Sequence, residues 1–310
     1  MVPKGDAGES ALAGIVLGSA GQVERLRFYC AVMGLPLPEG GGAAGLEPGA
    51  TTPEALILAE LVMAEFGQRP AEAVRRRLGA LRVLAASRIR AIAGAGAGSG
   101  LRQGTGEVTV HGREEPFAGF FAVEVAQISH RRFDGGMSPV LRREIFLQGD
   151  AVTVLPYDPL RDRVLVIEQM RMGPLGRGDP LPWQIEAIAG RIDPGETPED
   201  CARREAVEEA GLRLGRLEKV ADYYPSPGAI SEFIYSYVAI CDLPDGVAGL
   251  FGAEAEAEDI RAMLLSHAEL MAAVARGEIG NAPLLLTALW LDRERSRLRG
   301  AGIQRSGGGI

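Results

Sequence analysis

The sequence predicts an α+β protein in which a smaller N-terminal domain precedes a larger domain built on a mixed sheet. Residues 53–91 repeat apolar side chains at helical spacing, whereas residues 120–241 hold short apolar and aromatic runs separated by turn residues. Between them, residues 92–106 read IAGAGAGSGLRQGTG, a Gly/Ala-rich run that predicts a linker. We expect an N-terminal domain over residues 1–91, the linker over 92–106, the main domain over 107–299 and a flexible tail over 300–310.

The elements follow in chain order. Helical periodicity predicts helices over Pro53–Phe66 and Pro70–Ala91, and again over Ser266–Arg276 and Asn281–Leu298. Strands are predicted at Phe120–Ile128, Leu141–Phe146, Ala151–Tyr157, Val164–Gln169, Trp183–Ala189, Leu217–Tyr223 and Phe233–Cys241. The turn DPLRD makes the third and fourth of these a hairpin, and residues 173–182 are predicted to form a Pro/Gly loop.

Composition excludes several classes of protein. No stretch approaches the roughly 18 to 20 apolar residues of a membrane span, and the N-terminus lacks the apolar centre of a signal peptide. The three cysteines form no CxxC pair, so neither a disulfide framework nor a thiolate zinc site is expected. We therefore expect a cytoplasmic protein with no membrane partner.

The charge is concentrated in the second part of the chain. Of the net charge of −8, residues 107–310 contribute 22 Lys and Arg against 32 Asp and Glu. An acidic surface disfavours nucleic acid as the partner, whereas a small phosphate ester bridged by cations remains allowed.

The segment GRIDPGETPEDCARREAVEEAGL, residues 190–212, carries the chemistry. Thr197, Pro198 and Gly211 read as the N-cap, the first helical position and the left-handed stop of a short helix.

Three glutamates on this helix share one face. Glu205, Glu208 and Glu209 are spaced i, i+3 and i+4, and Glu196 lies in the preceding loop. Like charges so spaced repel, and oxygen ligands without histidine or thiolate suit Mg²⁺, with Mn²⁺ as the alternative ion. Arg204 is expected to pair with a carboxylate and hold the cluster in place. A solvated acidic helix face is the alternative explanation for the glutamates alone.

The full pattern resembles the Nudix box, G-x5-E-x7-REU-x-EE-x-GU, with one departure, Ala206 at an aliphatic position. The resemblance implies a Nudix α/β/α sandwich, with the box as its loop-helix-loop. It also implies metal ligation by Glu205, Glu209, Glu208 and the Ala189 carbonyl, with Glu196 reaching toward the cluster. The implied reaction is attack of water on a phosphorus of a diphosphate.

Flanking segments resemble the ADP-ribose pyrophosphatase branch of that family. They are RREIFLQGDAVTVLPYD, VIEQMRMG, IEAIAG and YPSPGAISE, between residues 142 and 232. The resemblance implies substrate contacts by Arg171 and Glu186, and Pro227 is the branch's marker proline. Arg143 and Glu144 would contact adenine across a domain-swapped homodimer. For each pair, an ordinary surface ion pair is the alternative.

The general base of this branch lies in a mobile acidic loop, matched here by GAEAEAEDIR, residues 252–261. Counting back from EDIR gives Glu256, with Glu258 and Glu254 as rivals because the alternating Glu and Ala allow the register to slip.

The N-terminal part, in the phrases at residues 24–36 and 66–91, resembles the γ-glutamylcyclotransferase-like half of Nudix proteins linked to tellurite resistance. Its phosphate-gripping turn is missing, so we expect a degenerate domain with a structural or interaction role.

We expect hydrolysis of ADP-ribose to AMP and ribose 5-phosphate. Another ADP-sugar or an NADH-type diphosphate is the alternative substrate, and a non-hydrolysing ADP-ribose-binding module is the alternative outside enzymes.

Overall fold

The computed structural model describes residues 20–37, 52–94, 101, 104, 106–252 and 258–306, with side chains of residues 20 and 301–306 excepted. The chain divides into two compact units, Met1–Gly149 and Asp150–Ile310. The division falls after the predicted linker, because three strands that follow the linker pair with one another in a sheet of their own. No helix among the described residues is long and apolar enough to cross a membrane.

The first unit contains helices and a three-stranded antiparallel sheet. Its elements are α1 (Ala20–Met33), α2 (Pro53–Ala64), α3 (Ala71–Arg76), α4 (Leu78–Gly94), β1 (Val108–Ala118), β2 (Ala122–His130) and β3 (Leu141–Leu147). The sheet order is β1-β2-β3. Helix α1 and strand β1 were not predicted from the sequence, whereas α2, β2 and β3 were. The resemblance of residues 1–91 to a cyclotransferase-like domain stays a prediction.

The predicted helix Pro70–Ala91 is wrong in one respect, because it is broken at Arg77 into α3 and α4. Arg77 Nη1 lies 2.9 Å from Glu65 Oε1, and Nη2 lies 2.6 Å from Glu115 Oε1. These ion pairs join residues that are distant in sequence, which helical periodicity does not register.

The second unit is built on a mixed sheet of eight strands. Its elements are β4 (Ala151–Asp158), β5 (Arg163–Met170), α5 (Met172–Arg177), β6 (Trp183–Glu186), β7 (Ile188–Arg191), α6 (Pro198–Ala210), β8 (Arg216–Tyr223), β9 (Ile234–Ile240), β10 (Gly249–Phe251), β11 (Ile260–Ser266), α7 (His267–Arg276) and α8 (Ala282–Ser306). The main path runs β10-β11-β5-β4-β9-β8, with β6 beside β5 and β7 beside β4. Strands β4 and β9 are parallel, and the other pairs are antiparallel.

Helices cover both faces of this sheet. Val152 and Val154 of β4 pack in one core with Ala202, Ala206 and Ala210 of α6. In a second core, Leu155 and Tyr157 of the same strand pack with residues of α7 and α8, including Leu270, Leu284 and Leu291. Side chains of one strand thus supply both cores, as the two-residue repeat of a strand requires. The predicted α/β/α sandwich is confirmed.

Three details differ from the sequence analysis. The predicted loop at residues 173–182 begins with a helical turn, α5, which ends at Gly178 with φ +88°. The predicted strand Trp183–Ala189 is two strands, because β6 pairs with β5 and β7 pairs with β4. Helix α8 runs to Ser306 and so includes residues that were assigned to a flexible tail.

Candidate active site

Helix α6 has the predicted boundaries. Thr197 Oγ1 accepts from Asp200 N at 3.1 Å at its beginning, and Gly211 ends it with φ +63° while Leu212 N donates to Ala206 O at 2.8 Å. Pro198 occupies the first turn, where its missing N–H has no cost. Ala206, the departure from the family pattern, is fully buried against the sheet, so a small side chain fits the close approach there.

The three glutamates of the helix differ in exposure. Glu209 is 2% exposed and Glu205 side chain 13%, whereas Glu208 is 44% exposed. Glu209 Oε2 accepts a hydrogen bond from Ala189 N at 3.1 Å. A solvated acidic face therefore does not describe Glu205 and Glu209, which point into the protein.

The Glu205 carboxylate lies directly over Gly190. A Cβ built on Gly190 would be 1.8 Å from Glu205 Oε1 and 1.9 Å from its Cδ. Only glycine allows the backbone of β7 to approach the carboxylate this closely. This is the physical reason for the glycine that opens the motif.

Arg204 binds three carboxylates. Its Nε donates to Glu196 Oε1 at 2.9 Å, and its Nη1 donates to Glu205 Oε1 at 2.6 Å and to Glu208 Oε2 at 3.0 Å. Its Nη2 reaches Glu196 Oε2 at 3.0 Å and Arg191 O at 3.2 Å. The guanidinium thus holds the preceding loop and the helix face together, as the sequence analysis expected.

Burial raises the pKa of the two carboxylates that point into the protein, Glu205 and Glu209. Burial raises the pKa of Glu209 to about 8, opposed by the hydrogen bond from Ala189 N and reinforced by the charge of Glu205. Burial also raises the pKa of Glu205 to about 7, opposed by Arg204 and reinforced by Glu208 and Glu258. A cation at these carboxylates would favour their ionised form.

The donor chemistry of this site fits a hard divalent cation. Glu205 and Glu209 offer carboxylate oxygens on one face of α6, beside the chain segment Ala189–Gly190. Among the described residues, no group of three or more His, Cys, Asp or Glu side chains is already gathered to hold a metal.

Arg171 and Glu186 form a two-pronged ion pair beside this cluster. Arg171 Nη2 and Nε lie 2.7 Å and 3.0 Å from Glu186 Oε2. Burial acts to lower the pKa of Arg171, but the hydrogen bonds and charge of Glu186, with the charges of Glu209 and Glu258, raise it. Glu186 is 4% exposed, whereas the Arg171 side chain is 39% exposed, so the carboxylate end of the pair is buried and the guanidinium is open to solvent.

The acidic loop reaches the site at one described residue. Glu258 acts electrostatically on Glu205, Glu209 and Arg171. Gly252, with φ +122°, lies so close to Glu258 O that a Cβ on it would be 2.5 Å away. The other two candidates for the general base, Glu256 and Glu254, lie outside the described residues.

The other predicted substrate contacts, Arg143, Glu144 and Pro227, are exposed residues outside the box helix and the Arg171–Glu186 pair. Arg143 and Glu144 are exposed on β3, in the first unit, where Glu144 pairs with Arg142 and Arg143 Nη1 donates to Arg142 O at 2.9 Å. Pro227 is exposed in a turn closed by hydrogen bonds from Ala229 N and Ile230 N to Ser226 O, at 3.2 Å and 3.1 Å.

Sequence reasoning missed Asn281. Its Nδ2 donates to Glu186 Oε1 at 3.1 Å. The usable signal was an asparagine at a helix start, which predicts an N-cap. The contact with a residue of β6 is long-range and carries no sequence signal.

Comparison with known proteins agrees with this geometry. A model described as the NUDIX domain matches residues 147–286. The ADP-ribose pyrophosphatase of Escherichia coli (strain K12) is 39% identical over 196 residues, covering 63% of this chain and 93% of that protein. The ADP-ribose pyrophosphatase of Haemophilus influenzae (strain Rd) is 32% identical over 195 residues, covering 62% and 89%. A GDP-mannose pyrophosphatase of Cronobacter sakazakii is 35% identical over 145 residues, covering 47% and 74%. Together with the box helix and its carboxylates, these matches show that the chain belongs to the Nudix hydrolase family.

Proposed function

We propose that the protein hydrolyses the diphosphate of ADP-ribose, giving AMP and ribose 5-phosphate. The observation that carries the proposal is a pair of carboxylates on the box helix beside Gly190, the buried Glu209 and the largely buried Glu205. The choice of substrate is supported by the names of the relatives that align over 93% and 89% of their own length.

The metal in this proposal is Mg²⁺, with Mn²⁺ as the alternative. Glu205 and Glu209 would be the chief ligands, with Glu208 and the Ala189 carbonyl as further ligands and Glu196 turned toward the cluster. When bound, the cation supplies positive charge that offsets the diphosphate and makes a water more acidic. Because Arg204 contacts Glu196, Glu205 and Glu208, it would keep these carboxylates oriented while the ion binds.

The chain's own groups then position the substrate and move a proton. Water attacks one phosphorus, the P–O bond to the leaving phosphate breaks, and the proton of the water passes to a carboxylate of the acidic loop. Glu256 is the proposed base and Glu258 its rival; the electrostatic effect of Glu258 on the inner carboxylates supports a base from this loop. Such a reaction depends chiefly on positioning and on stabilising charge.

Substrate binding is assigned to Arg171 and Glu186, whose bonds fix the guanidinium beside the box helix. Arg143 and Glu144 would contact adenine from a second copy of the chain, and Pro227 would be a further substrate contact. The homodimer and the cytoplasmic location stay predictions.

Product analysis tests the proposal. Purified protein with Mg²⁺ is incubated with ADP-ribose, ADP-glucose, GDP-mannose, NADH, diadenosine polyphosphates and nucleoside triphosphates, and the products are separated by chromatography. Preferential release of AMP from ADP-ribose is the expected result. Preference for GDP-mannose would keep the mechanism and move the substrate toward the other relatives. Binding of ADP-ribose without turnover of any compound would refute the enzyme and favour a binding module.

A further inference from the structure

The side chain of Asn281 joins the Arg171–Glu186 pair to the beginning of α8. Its Nδ2 donates to Glu186 Oε1 at 3.1 Å, and its Oδ1 accepts from Leu284 N at 2.9 Å. A carboxylate oxygen only accepts and a backbone N–H only donates, so the two partners require opposite ends of the amide. The orientation of the amide is therefore fixed by its neighbours.

The loop that carries Asn281 is held against the strand that carries Glu186. A Cβ on Gly280 would lie 2.9 Å from Oε1 of the Gln184 side chain, so the loop lies beside a side chain of β6. On the other side of Gly280, Ile279 is 5% exposed and packs in the core shared with α7 and α8. Asn281 thus reaches Glu186 from a backbone held by the buried Ile279 and by the hydrogen bond from Leu285 N to Asn281 O at 3.0 Å.

Glu186 depends on such donors because it is a nearly buried carboxylate. Arg171 supplies Nε and Nη2, and Asn281 supplies a donor at Oε1. The N-terminus of α8 adds the positive end of a helix dipole. Removing the Asn281 donor would leave Oε1 with the weaker 3.2 Å bond from Arg171 Nε and allow the carboxylate to rotate. The guanidinium paired with it would move as well.

We propose that Asn281 is a positioning residue for substrate binding, which holds the Glu186 carboxylate and through it the Arg171 guanidinium. This inference rests on the proposed function, because it takes the pair to be part of the substrate site. It adds the residue just before α8 to a site otherwise built from the residue after β5, from β6 and from the box helix.

Two substitutions separate this role from the capping of α8. Asn281→Ser and Asn281→Asp both keep an oxygen that can cap Leu284 N. An ionised aspartate has no donor, and the serine hydroxyl is one bond shorter than the asparagine amide, so it should not cap Leu284 N and reach Glu186 at the same time. We expect KM for ADP-ribose to rise about tenfold with serine and further with aspartate, whose charge repels Glu186, while kcat stays within about twofold. Ser266→Ala is the matched control, because Ser266 caps α7 through Glu269 and should lower Tm without changing KM. In a Glu186→Gln background, Asn281→Ser should add little.

Four outcomes would overturn the inference. Unchanged KM in both Asn281 variants of an active protein would remove the positioning role and leave the proposed function intact. An equal rise of KM in Ser266→Ala would show general loosening instead. An undiminished effect in the Glu186→Gln background would exclude the route through Glu186. A wild-type protein that turns over none of the diphosphates would refute the proposed function and the inference with it.

Discussion

Replacing Gly190 by alanine tests whether the position of Glu205 controls catalysis. The new Cβ would lie 1.8 Å from Glu205 Oε1, whereas ordinary contact begins near 3.4 Å, so this oxygen must retreat by about 1.6 Å. That movement breaks the 2.6 Å bond between Arg204 Nη1 and Glu205 Oε1 and takes the carboxylate out of its place beside Glu209.

The expected loss is large for activity and small for stability. A displacement of about 1 Å in a positioned group costs roughly 100-fold in rate, so kcat should fall by about that factor. Because the atoms that must move belong to a side chain, the cost of overpacking should stay at about 1–3 kcal/mol, and the protein should remain folded.

The assay is AMP release from ADP-ribose at saturating Mg²⁺, with thermal melting of the same samples. Gly79→Ala is the matched control, since a Cβ there meets nothing within 4 Å and the site lies in a helix. It should keep full activity. A Gly190→Ala protein that retains kcat within about threefold would refute the reasoning from geometry.

Three further predictions concern the carboxylates. Glu209→Gln should abolish Mg²⁺-dependent turnover while the metal-free protein stays folded, because a glutamine oxygen can still accept the hydrogen bond from Ala189 N but brings no negative charge to a cation; unchanged turnover would contradict the ligand assignment. Glu256→Gln should lower kcat by about 10²–10⁴ with little change in substrate affinity, and an effect confined to Glu258→Gln would move the base by two residues. With pKa values raised to about 7 and about 8, Glu205 and Glu209 keep protons in the folded state that the unfolded chain releases from about pH 4.5 upward. The stability of the metal-free protein should therefore fall between about pH 5 and pH 9, and it should fall less in the Glu205→Gln, Glu209→Gln double variant. Mg²⁺ should restore the most stability at the upper end of this range. Equal dependence of Tm on pH for the two proteins in EDTA would contradict this prediction.

The box helix was predictable because its determinants are local. Thr197, Pro198 and Gly211 act on backbone groups within one turn, and the face shared by the glutamates follows from helical spacing alone. The sequence also identified Arg171 and Glu186, but as either substrate contacts or a surface pair. The near-burial of the Glu186 carboxylate depends on packing that no local pattern reports.

Two of the misses share one physical cause, which is that the deciding contact is long-range. The break at Arg77 coincides with ion pairs to Glu65 and Glu115, 12 and 38 residues away. The run Trp183–Ala189 has the composition of one strand, yet its two halves pair with different partners, β5 and β4. Pairing partners are a property of the sheet, whereas strand propensity is a property of the segment.

The two arginines of the site are paired with carboxylates other than Glu209, and this arrangement indicates where a cation would bind. Arg204 forms ion pairs with Glu196, Glu205 and Glu208, and Arg171 forms an ion pair with Glu186. Glu209 is the most buried of the box carboxylates, and the bond it accepts comes from a neutral backbone N–H. A neutral donor offsets less of the cost of burying a charge than an ionised one does. A cation would therefore stabilise the ionised form of Glu209 most if it bound between Glu209 and Glu205, and this is where the proposed reaction requires the metal.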